Sequence, residues 1–289
     1  TFVFTRRYSA GDAPTLSVRW QTGLSFPCGS CYARNEIMLG GQLEDTDEFD
    51  DHIIQHEYFH FWVEHFSADD SPGGPHRDRQ VTPTLAYGEG VAYFLPCVVN
   101  ESPEIVDTFI DDVRFIDIEV MEQNGEARSD LVGTTDDRLT GDLREEIVSG
   151  ILWDAYDPAN EPHDQLALGD RETMRLLQDV LPSPTRGDVG ARGIDLADWF
   201  DALSCVTDGR IDDAQQLADE RAFPISVATE APCFEKRSRE DAAWIAPTRD
   251  GFWVGVDGGA PPAIDVRAWG PRTGWIHVSF PCTASNGCA

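Results

Sequence analysis

One short pattern in the sequence has the residue types and spacing to bind a metal ion: His56-Glu57-Tyr58-Phe59-His60. Residues four apart on an α-helix point in directions that differ by about 40° and lie about 6 Å apart along its axis. Two imidazoles in that arrangement can bind one zinc ion, with the intervening glutamate on the ion's open side. Zinc lowers the pKa of a bound water, and a carboxylate can accept the proton. The motif therefore predicts a hydrolytic zinc site with ligands His56 and His60 and with Glu57 as the general base.

A third protein ligand has to come from outside this motif, and four side chains compete for the role. Glu64 lies one turn beyond His60 on the same predicted helix, which is too far along the axis to share the ion. His65 points about 140° away from His60 on that helix and cannot reach the same ion. His76 lies in a polar loop that has no element to anchor it, and it stays open as an alternative. The fourth side chain, Glu89, is the one that we prefer.

Glu89 stands between Gly88 and Gly90, in a segment otherwise made of Ala, Val, Tyr and Phe. Burying a carboxylate among apolar side chains is costly unless a positive charge or a metal ion pairs with it. Glycines remove side chains at places where two helices approach closely. A bound metal ion explains both features, whereas an exposed helical glutamate would not need the glycines. We therefore predict His56, His60 and Glu89 as the metal ligands.

Three predicted helices position these residues, and each has a recognisable start. Asp45 can cap the first, and Thr82 followed by Pro83 is typical of a helix N-terminus for the second. The third begins with a capping box formed by Asp142 and Glu145 and stops before a proline. Their predicted extents are Asp45–Phe66, Thr82–Leu95 and Asp142–Tyr156.

The order of the remaining predicted elements favours an α+β architecture. Short strands precede the first helix, helices fill the second half, and short strands return near the C-terminus. We expect one large domain over residues 1–238 and a small β-rich C-terminal appendage over residues 239–289. The predicted strands are Thr1–Thr5, Leu16–Gln21, Asn35–Leu39, Trp244–Ala246, Phe252–Val256, Ile264–Trp269 and Trp275–Phe280, and the later helices are Arg171–Leu181, Leu196–Leu203 and Asp212–Arg221.

The charge of the chain excludes several classes of partner. Its 289 residues include 52 acidic and 22 basic ones, which gives a net charge of −30. Such a surface repels phosphate backbones and anionic lipid, so we expect no nucleic-acid partner. No apolar run approaches the ~18 residues that a membrane span requires, so we expect no membrane insertion. Calcium is an alternative use of the acidic residues, for example in the loop Ser67–Ser71, although this loop lacks the spacing of a calcium-binding loop.

The cysteines indicate an oxidising compartment. Three local disulfides would leave Cys97, in an apolar segment, as a buried free thiol. Disulfides of this kind are typical of secreted, periplasmic or cell-surface proteins, which is where we place the chain. Since it begins at Thr1 and shows no signal peptide, we expect a mature form or an excised fragment. The predicted pairs are Cys28–Cys31, Cys205–Cys233 and Cys282–Cys288.

Three patches of the sequence together resemble the metal site of the gluzincins, and of the fungalysin-like peptidases in particular. They are His56–His60 with the following loop Ser71-Pro-Gly-Gly74, then Gly88-Glu-Gly90, then Glu146–Tyr156. The resemblance implies a zincin-like fold for the large domain, one catalytic zinc ion and endopeptidase activity on a protein or peptide substrate. One position departs from the pattern. Such families usually place Asp four residues after the third ligand to support a ligand histidine, and this chain has Tyr93 there.

The reaction also needs a donor to the oxyanion that develops in its transition state. The resemblance implies Tyr156 for this role, and His163 is the reserve. Substrate backbone would add as a strand to an edge at Asn35–Gly41. We therefore expect a monomeric secreted zinc endopeptidase. A catalytically silent zincin-fold protein that serves binding or adhesion is the alternative, and Glu57 favours the enzyme because a silent scaffold has no use for a general base. A non-peptidase hydrolase is a weaker third reading.

Overall fold

The computed structural model describes residues 1–9, 13–76, 79–109, 112–127, 138–158, 162, 164–183, 189–207, 210–227, 265–269 and 275–279. Within these ranges the chain is a mixed α+β protein with seven α-helices and two small β-sheets. No helix in the described part is long and apolar enough to cross a membrane. The helices are α1 (Phe2–Tyr8), α2 (Asp51–Phe66), α3 (Pro83–Asn100), α4 (Glu145–Tyr156), α5 (Gly169–Arg175), α6 (Leu196–Val206) and α7 (Ile211–Glu220). The strands are β1 (Ser17–Arg19), β2 (Cys31–Ala33), β3 (Glu36–Met38), β4 (Glu104–Phe109), β5 (Asp112–Asp117), β6 (Glu122–Gln123), β7 (Glu126–Ala127), β8 (Asp265–Trp269) and β9 (Trp275–Ser279).

The larger sheet has the strand order β2-β3-β1-β9-β8. The pair β1 and β3 is parallel, and the other neighbours are antiparallel. The predicted substrate edge at Asn35–Gly41 is wrong, because β3 lies between β2 and β1 and is paired on both sides. The tail strands β8 and β9 belong to this same sheet, since β9 pairs with β1. The predicted strands Trp244–Ala246 and Phe252–Val256 lie outside the described residues, and the domain division at residue 238 stays a prediction.

The first residues form helix α1, so the predicted strand Thr1–Thr5 is wrong. Phe4 and Tyr8 are one helical turn apart, and their ring centroids lie 5.2 Å from each other. Thr5 Oγ1 lies 2.8 Å from the hydroxyl of Tyr58 on α2. These contacts depend on helical spacing, and they outweigh the strand preference of an aromatic segment.

The second sheet, which the sequence analysis did not predict, fixes the start of the motif-bearing helix. It has the strand order β4-β5-β6-β7. Helix α2 begins at Asp51 after Asp50, so the predicted cap Asp45 is wrong. The Asp50 carboxylate accepts hydrogen bonds from Thr108 of β4, at 2.9 Å from the backbone nitrogen and 2.7 Å from Oγ1. Asp45 instead pairs through its backbone with Phe109, at the end of β4.

The later helices agree with the predicted segments, with one change at the start of α4. This helix begins at Glu145 and has no capping box with Asp142. Helix α5 continues into a π-helical turn, Leu176–Val180. Just after α7, Arg221 forms a buried ion pair with Asp154 of α4 at 2.8 Å. Helices α3, α5 and α7 pack against α4, whose buried residues belong to the main core.

Two predictions about the cysteines can be compared with the structure. The sulfur atoms of Cys28 and Cys31 are 2.11 Å apart, at disulfide distance. Cys97 is free and fully buried, which confirms the expected buried thiol. The other predicted pairs depend on residues outside the described ranges: Cys233, Cys282 and Cys288.

Candidate metal centre

The three predicted ligands lie together between α2 and α3. His60 Nε2 lies 3.0 Å from His56 Nε2 and 3.1 Å from Glu89 Oε2. His56 Nε2 lies 3.2 Å from the same carboxylate oxygen. His56 and Glu89 are each only 6% exposed. This buried group could hold a metal ion.

The spacing of these donor atoms fits a tetrahedral ion. When nitrogen and oxygen ligands lie about 2.0–2.2 Å from zinc, tetrahedral geometry places them about 3.3–3.5 Å from one another. The three observed distances of 3.0, 3.1 and 3.2 Å differ from this value by a few tenths of an ångström. Two imidazoles and one carboxylate are also a donor set of catalytic zinc sites. The residues present therefore fit the ion that the motif predicts.

Helix α2 separates the ligand histidines from two of its other polar side chains, Glu64 and His65, as helical geometry requires. The two ligand rings lie edge to face, with centroids 4.7 Å apart. Glu64 and His65 point to the larger sheet instead. Glu64 accepts a hydrogen bond from the hydroxyl of Tyr32, and His65 Nε2 contacts Asn35 Oδ1. The structure thus places both rejected candidates outside the ligand group.

The glycines that flank Glu89 allow close contacts on two sides of α3. A Cβ atom on Gly90 would lie 2.5 Å from Val148 Cβ on α4, closer than two carbon atoms can pack. A Cβ atom on Gly88 would lie 2.9 Å from Asp69 Oδ1, in the loop after α2. The expected helix–helix approach therefore occurs at Gly90, whereas Gly88 makes room for a loop. Both contacts hold the segment that carries the Glu89 carboxylate.

Because the three ligand side chains are buried together, their charges shift the pKa values of Glu89 and His60. Burial alone would raise the pKa of Glu89, but His60 and His56 hold that pKa well below its usual value. Burial alone would lower the pKa of His60, but the charge and hydrogen bond of Glu89 raise it to about 9. The lowered pKa keeps the Glu89 carboxylate ionised, as a metal ligand must be.

Glu57 lies beside the ligand group. It follows His56 in α2 and is 6% exposed. Its negative charge is near enough to His60 to contribute to the raised pKa of that imidazole. A carboxylate in this position agrees with the general-base role, which stays a prediction.

The His56 ring is held in its orientation by a different kind of contact from the one that most metal-binding histidines use. Such histidines usually donate their second ring nitrogen to a carboxylate, a carbonyl or water. His56 Nδ1 is buried and has no hydrogen-bond partner among the described residues. The ring of Tyr93 instead lies 4.4 Å from the His56 ring, tilted by 55°. Tyr93, one turn after Glu89, therefore contacts the His56 ring from the position where the gluzincin pattern has an aspartate.

His76, which the sequence left open as a ligand, lies next to the group but is not part of it. Its Nδ1 lies 2.6 Å from Glu145 Oε2, and its Nε2 lies 3.6 Å from Glu89 Oε2. Burial tends to lower the pKa of His76, but the hydrogen bond and charge of Glu145 outweigh this effect and raise it. Sequence reasoning missed the pair because the partners are 69 residues apart and a loop has no periodic pattern.

The structure does not bring Tyr156 to the ligand group. Its hydroxyl donates a hydrogen bond to Asp170 Oδ1 at 3.0 Å, and its ring packs against Phe94. Tyr156 is the last residue of α4 and Glu145 is the first, so the two lie roughly 16 Å apart along the axis. Only the Glu145 end reaches the ligand group, so this position does not support Tyr156 as the oxyanion donor. The reserve candidate, His163, lies outside the described residues.

A second group of carboxylates could also hold a cation. Asp45, Asp47 and Asp107 have oxygen atoms within 4.8 Å of one another. Burial and the neighbouring carboxylates raise the pKa of Asp47 to about 7. The predicted calcium loop Ser67–Ser71 does not contribute to this group, and within it the Asp69 carboxylate accepts a backbone hydrogen bond at 2.7 Å. Calcium binding stays a prediction.

Comparison of the chain with protein-family models, with curated proteins and with solved structures found no match. A functional assignment therefore depends on the residues of the site and on their geometry.

Proposed function

We propose that this protein is a secreted zinc-dependent endopeptidase of the gluzincin type. In this proposal His56, His60 and Glu89 bind one zinc ion, and Glu57 is the general base. The observation that supports it most strongly is the buried triangle of two nitrogens and one oxygen with sides of 3.0–3.2 Å. Two of its corners come from one helix at the spacing of the motif, and the carboxylate of the general base lies next to them.

The number and type of ligands favour catalysis over a structural role. Structural zinc sites usually have four protein ligands and often use cysteine, whereas catalytic sites have three and keep one position open. Within the described residues, the group has three donors. Two histidines and one carboxylate also bind iron in oxygenases, but a buried glutamate beside the first ligand supplies the base that hydrolysis needs. Hydrolysis is therefore the reaction that uses every member of the site.

Each group at the site has a separate role in peptide hydrolysis. A zinc ion at this site would supply Lewis acidity towards the peptide carbonyl and a lowered pKa for water. Glu57 accepts the proton of the attacking water and then delivers it to the leaving amine. Tyr93 keeps the His56 ring in its orientation through the ring contact at 4.4 Å. The disulfide-distance pair Cys28 and Cys31 supports an extracellular setting for this activity.

One experiment compares the wild-type chain with a Glu57→Gln variant, which keeps the size of the side chain and removes its basicity. Both proteins are purified, analysed for metals by mass spectrometry, and incubated with fluorescein-labelled unfolded casein. We expect about one zinc ion per chain in both. Cleavage should be strong in wild type, weaker by a factor of about 10²–10⁴ in the variant, and abolished by a chelator until zinc returns.

Three outcomes would contradict the proposal. Zinc without cleavage in the wild-type chain would indicate the silent binding protein that the sequence left as the alternative. Full cleavage by Glu57→Gln would remove Glu57 from the mechanism. Iron in place of zinc, together with no cleavage, would point to oxygenase chemistry.

A further inference from the structure

A second buried carboxylate, Glu145, lies at the metal centre without belonging to the ligand group. Its side chain is 2% exposed, and burial at this depth is costly for a charge that lacks a partner. It stands at the first position of α4, where the helix dipole favours a negative charge, but it takes no part in a capping box. Its partner is His76 Nδ1, at 2.6 Å. The buried carboxylate therefore holds one imidazole ring in a fixed orientation.

This orientation directs the other ring nitrogen to the site. With Nδ1 hydrogen-bonded to Glu145, Nε2 is the ring atom that lies 3.6 Å from Glu89 Oε2. The group of donors within 4.8 Å of one another contains His56, His60 and Glu89 and omits His76. His76 Nε2 is thus beside the ligand triangle, near one corner, and does not lie in the position of a fourth tetrahedral ligand.

The side chain of His76 is more exposed to solvent than those of the three predicted ligands. Its side chain is 25% exposed, compared with 8% for His56, 8% for Glu89 and 16% for His60. Of these four side chains, His76 is the one that a substrate can reach most easily. A group that contacts substrate needs this access, whereas a metal ligand does not.

We propose that His76 is the residue that donates a hydrogen bond to the carbonyl oxygen of the scissile peptide as negative charge develops on it, and that Glu145 is its positioning residue. The inference rests on the proposed peptidase function. Peptide hydrolysis needs such a donor, and the expected one, Tyr156, donates to Asp170 at the far end of α4. The hydrogen bond to Glu145 fixes the ring in advance, so little reorganisation is needed during the reaction.

The test measures the binding of two small metal ligands in addition to the kinetics of peptide cleavage. The full chain is loaded with cobalt(II), and its visible absorption reports the binding of acetohydroxamate or of 2-mercaptoethanol. Acetohydroxamate presents oxygen atoms that can accept a hydrogen bond from His76, whereas a thiolate accepts only weakly. The variants are His76→Ala, His76→Asn, Glu145→Gln and the matched control His65→Ala. His65 lies on α2 and contacts Asn35, outside the ligand group.

We expect His76→Ala to bind one metal ion as wild type does and to lose at least about tenfold in acetohydroxamate affinity. Its thiol affinity should change by less than about twofold, because that contact depends little on a donor. His76→Asn, which keeps an N–H donor, should recover part of the loss, and Glu145→Gln should lie between wild type and His76→Ala. In peptide cleavage, kcat should fall about 10²–10³-fold in His76→Ala with little change in KM.

Several results would overturn the assignment. Equal losses for both ligands, or no loss for acetohydroxamate, would remove the donor role. Loss of the metal ion in a folded His76→Ala, verified by circular dichroism, would make His76 a ligand instead. If the wild-type chain binds cobalt but cleaves no peptide, the peptidase proposal fails, while the difference between the two ligands still tests the donor. A chain that binds no metal ion overturns both.

Discussion

Replacing Gly90 by alanine tests whether the close approach of α3 and α4 determines the geometry of the candidate metal centre. The new Cβ atom would lie 2.5 Å from Val148 Cβ and 2.9 Å from the carbonyl oxygen of Glu145. Neither atom can rotate away, because one is fixed to the α4 backbone and the other is part of it. The two helices must therefore separate, and they carry Glu89 and the partner of His76.

Two opposing effects determine how much Gly90→Ala changes the free energy of unfolding. Alanine in place of glycine inside a helix stabilises it by about 1 kcal/mol. Forcing an extra carbon atom into a packed interface costs about 1–3 kcal/mol, and a clash with backbone belongs at the upper end. We expect a net loss of about 1–2 kcal/mol in the free energy of unfolding. Because Glu89 is the next residue, zinc affinity should also fall, by about tenfold, or about 1.4 kcal/mol.

The assay is urea unfolding of the metal-free chain, followed by zinc titration against a chromophoric chelator. Gly88→Ala is the matched control on the same helix. Its Cβ atom would lie 2.9 Å from Asp69 Oδ1 and 2.9 Å from Ser71 Cβ, both in a loop that can shift. We expect this control to stay within about 1 kcal/mol of wild type. A Gly90→Ala protein with wild-type stability and wild-type zinc affinity would refute the reasoning.

Three further substitutions or reagents test other parts of the fold. The raised pKa of Asp47, about 7, makes its stability contribution greatest in acid and diminishes it as pH rises through 7. The free energy of unfolding of Asp47→Asn, taken relative to that of wild type in urea unfolding, should therefore rise by about 2–4 kcal/mol between pH 4 and pH 8. The exposed Asp212→Asn is the control. Arg221→Met leaves the buried Asp154 carboxylate without its ion pair. The free energy of unfolding should therefore fall by about 3–5 kcal/mol. A loss below about 1 kcal/mol would contradict the pairing. Burial raises the pKa of Cys97, so its thiol should resist iodoacetamide in the folded chain and react after unfolding, as peptide mass spectrometry can show.

Local patterns made the ligand group predictable from the sequence. Because residues four apart on a helix lie on the same face, the spacing of His56 and His60 directly predicted two nitrogens on one side of α2. Glu89 could be selected because its flanking glycines indicated a close approach, and that approach occurs at Gly90. Helix α4 followed from apolar periodicity and helix α3 from the proline at its start.

The errors occurred where a residue's partner is distant in sequence. Asp45 and Asp50 are equally good capping residues by type, but the Asp50 carboxylate makes no capping hydrogen bond to α2 and bonds instead to Thr108, 58 positions away. Asp45 pairs through its backbone with Phe109. Glu145 fits a capping box by spacing, but its carboxylate bonds to a loop histidine that no periodic pattern could place. Tyr156 was assigned by resemblance, and its hydroxyl donates a hydrogen bond to Asp170, so its oxyanion role stays a prediction that the structure does not support.

The most direct test of the central claim is a crystal structure of the zinc-loaded chain, with anomalous diffraction measured on both sides of the zinc absorption edge. The account predicts one strong anomalous peak about 2.0–2.2 Å from His56 Nε2, His60 Nε2 and a Glu89 oxygen, with Glu57 beside the open position. A peak bound by other residues, or no peak at this group in a zinc-saturated crystal, would contradict it.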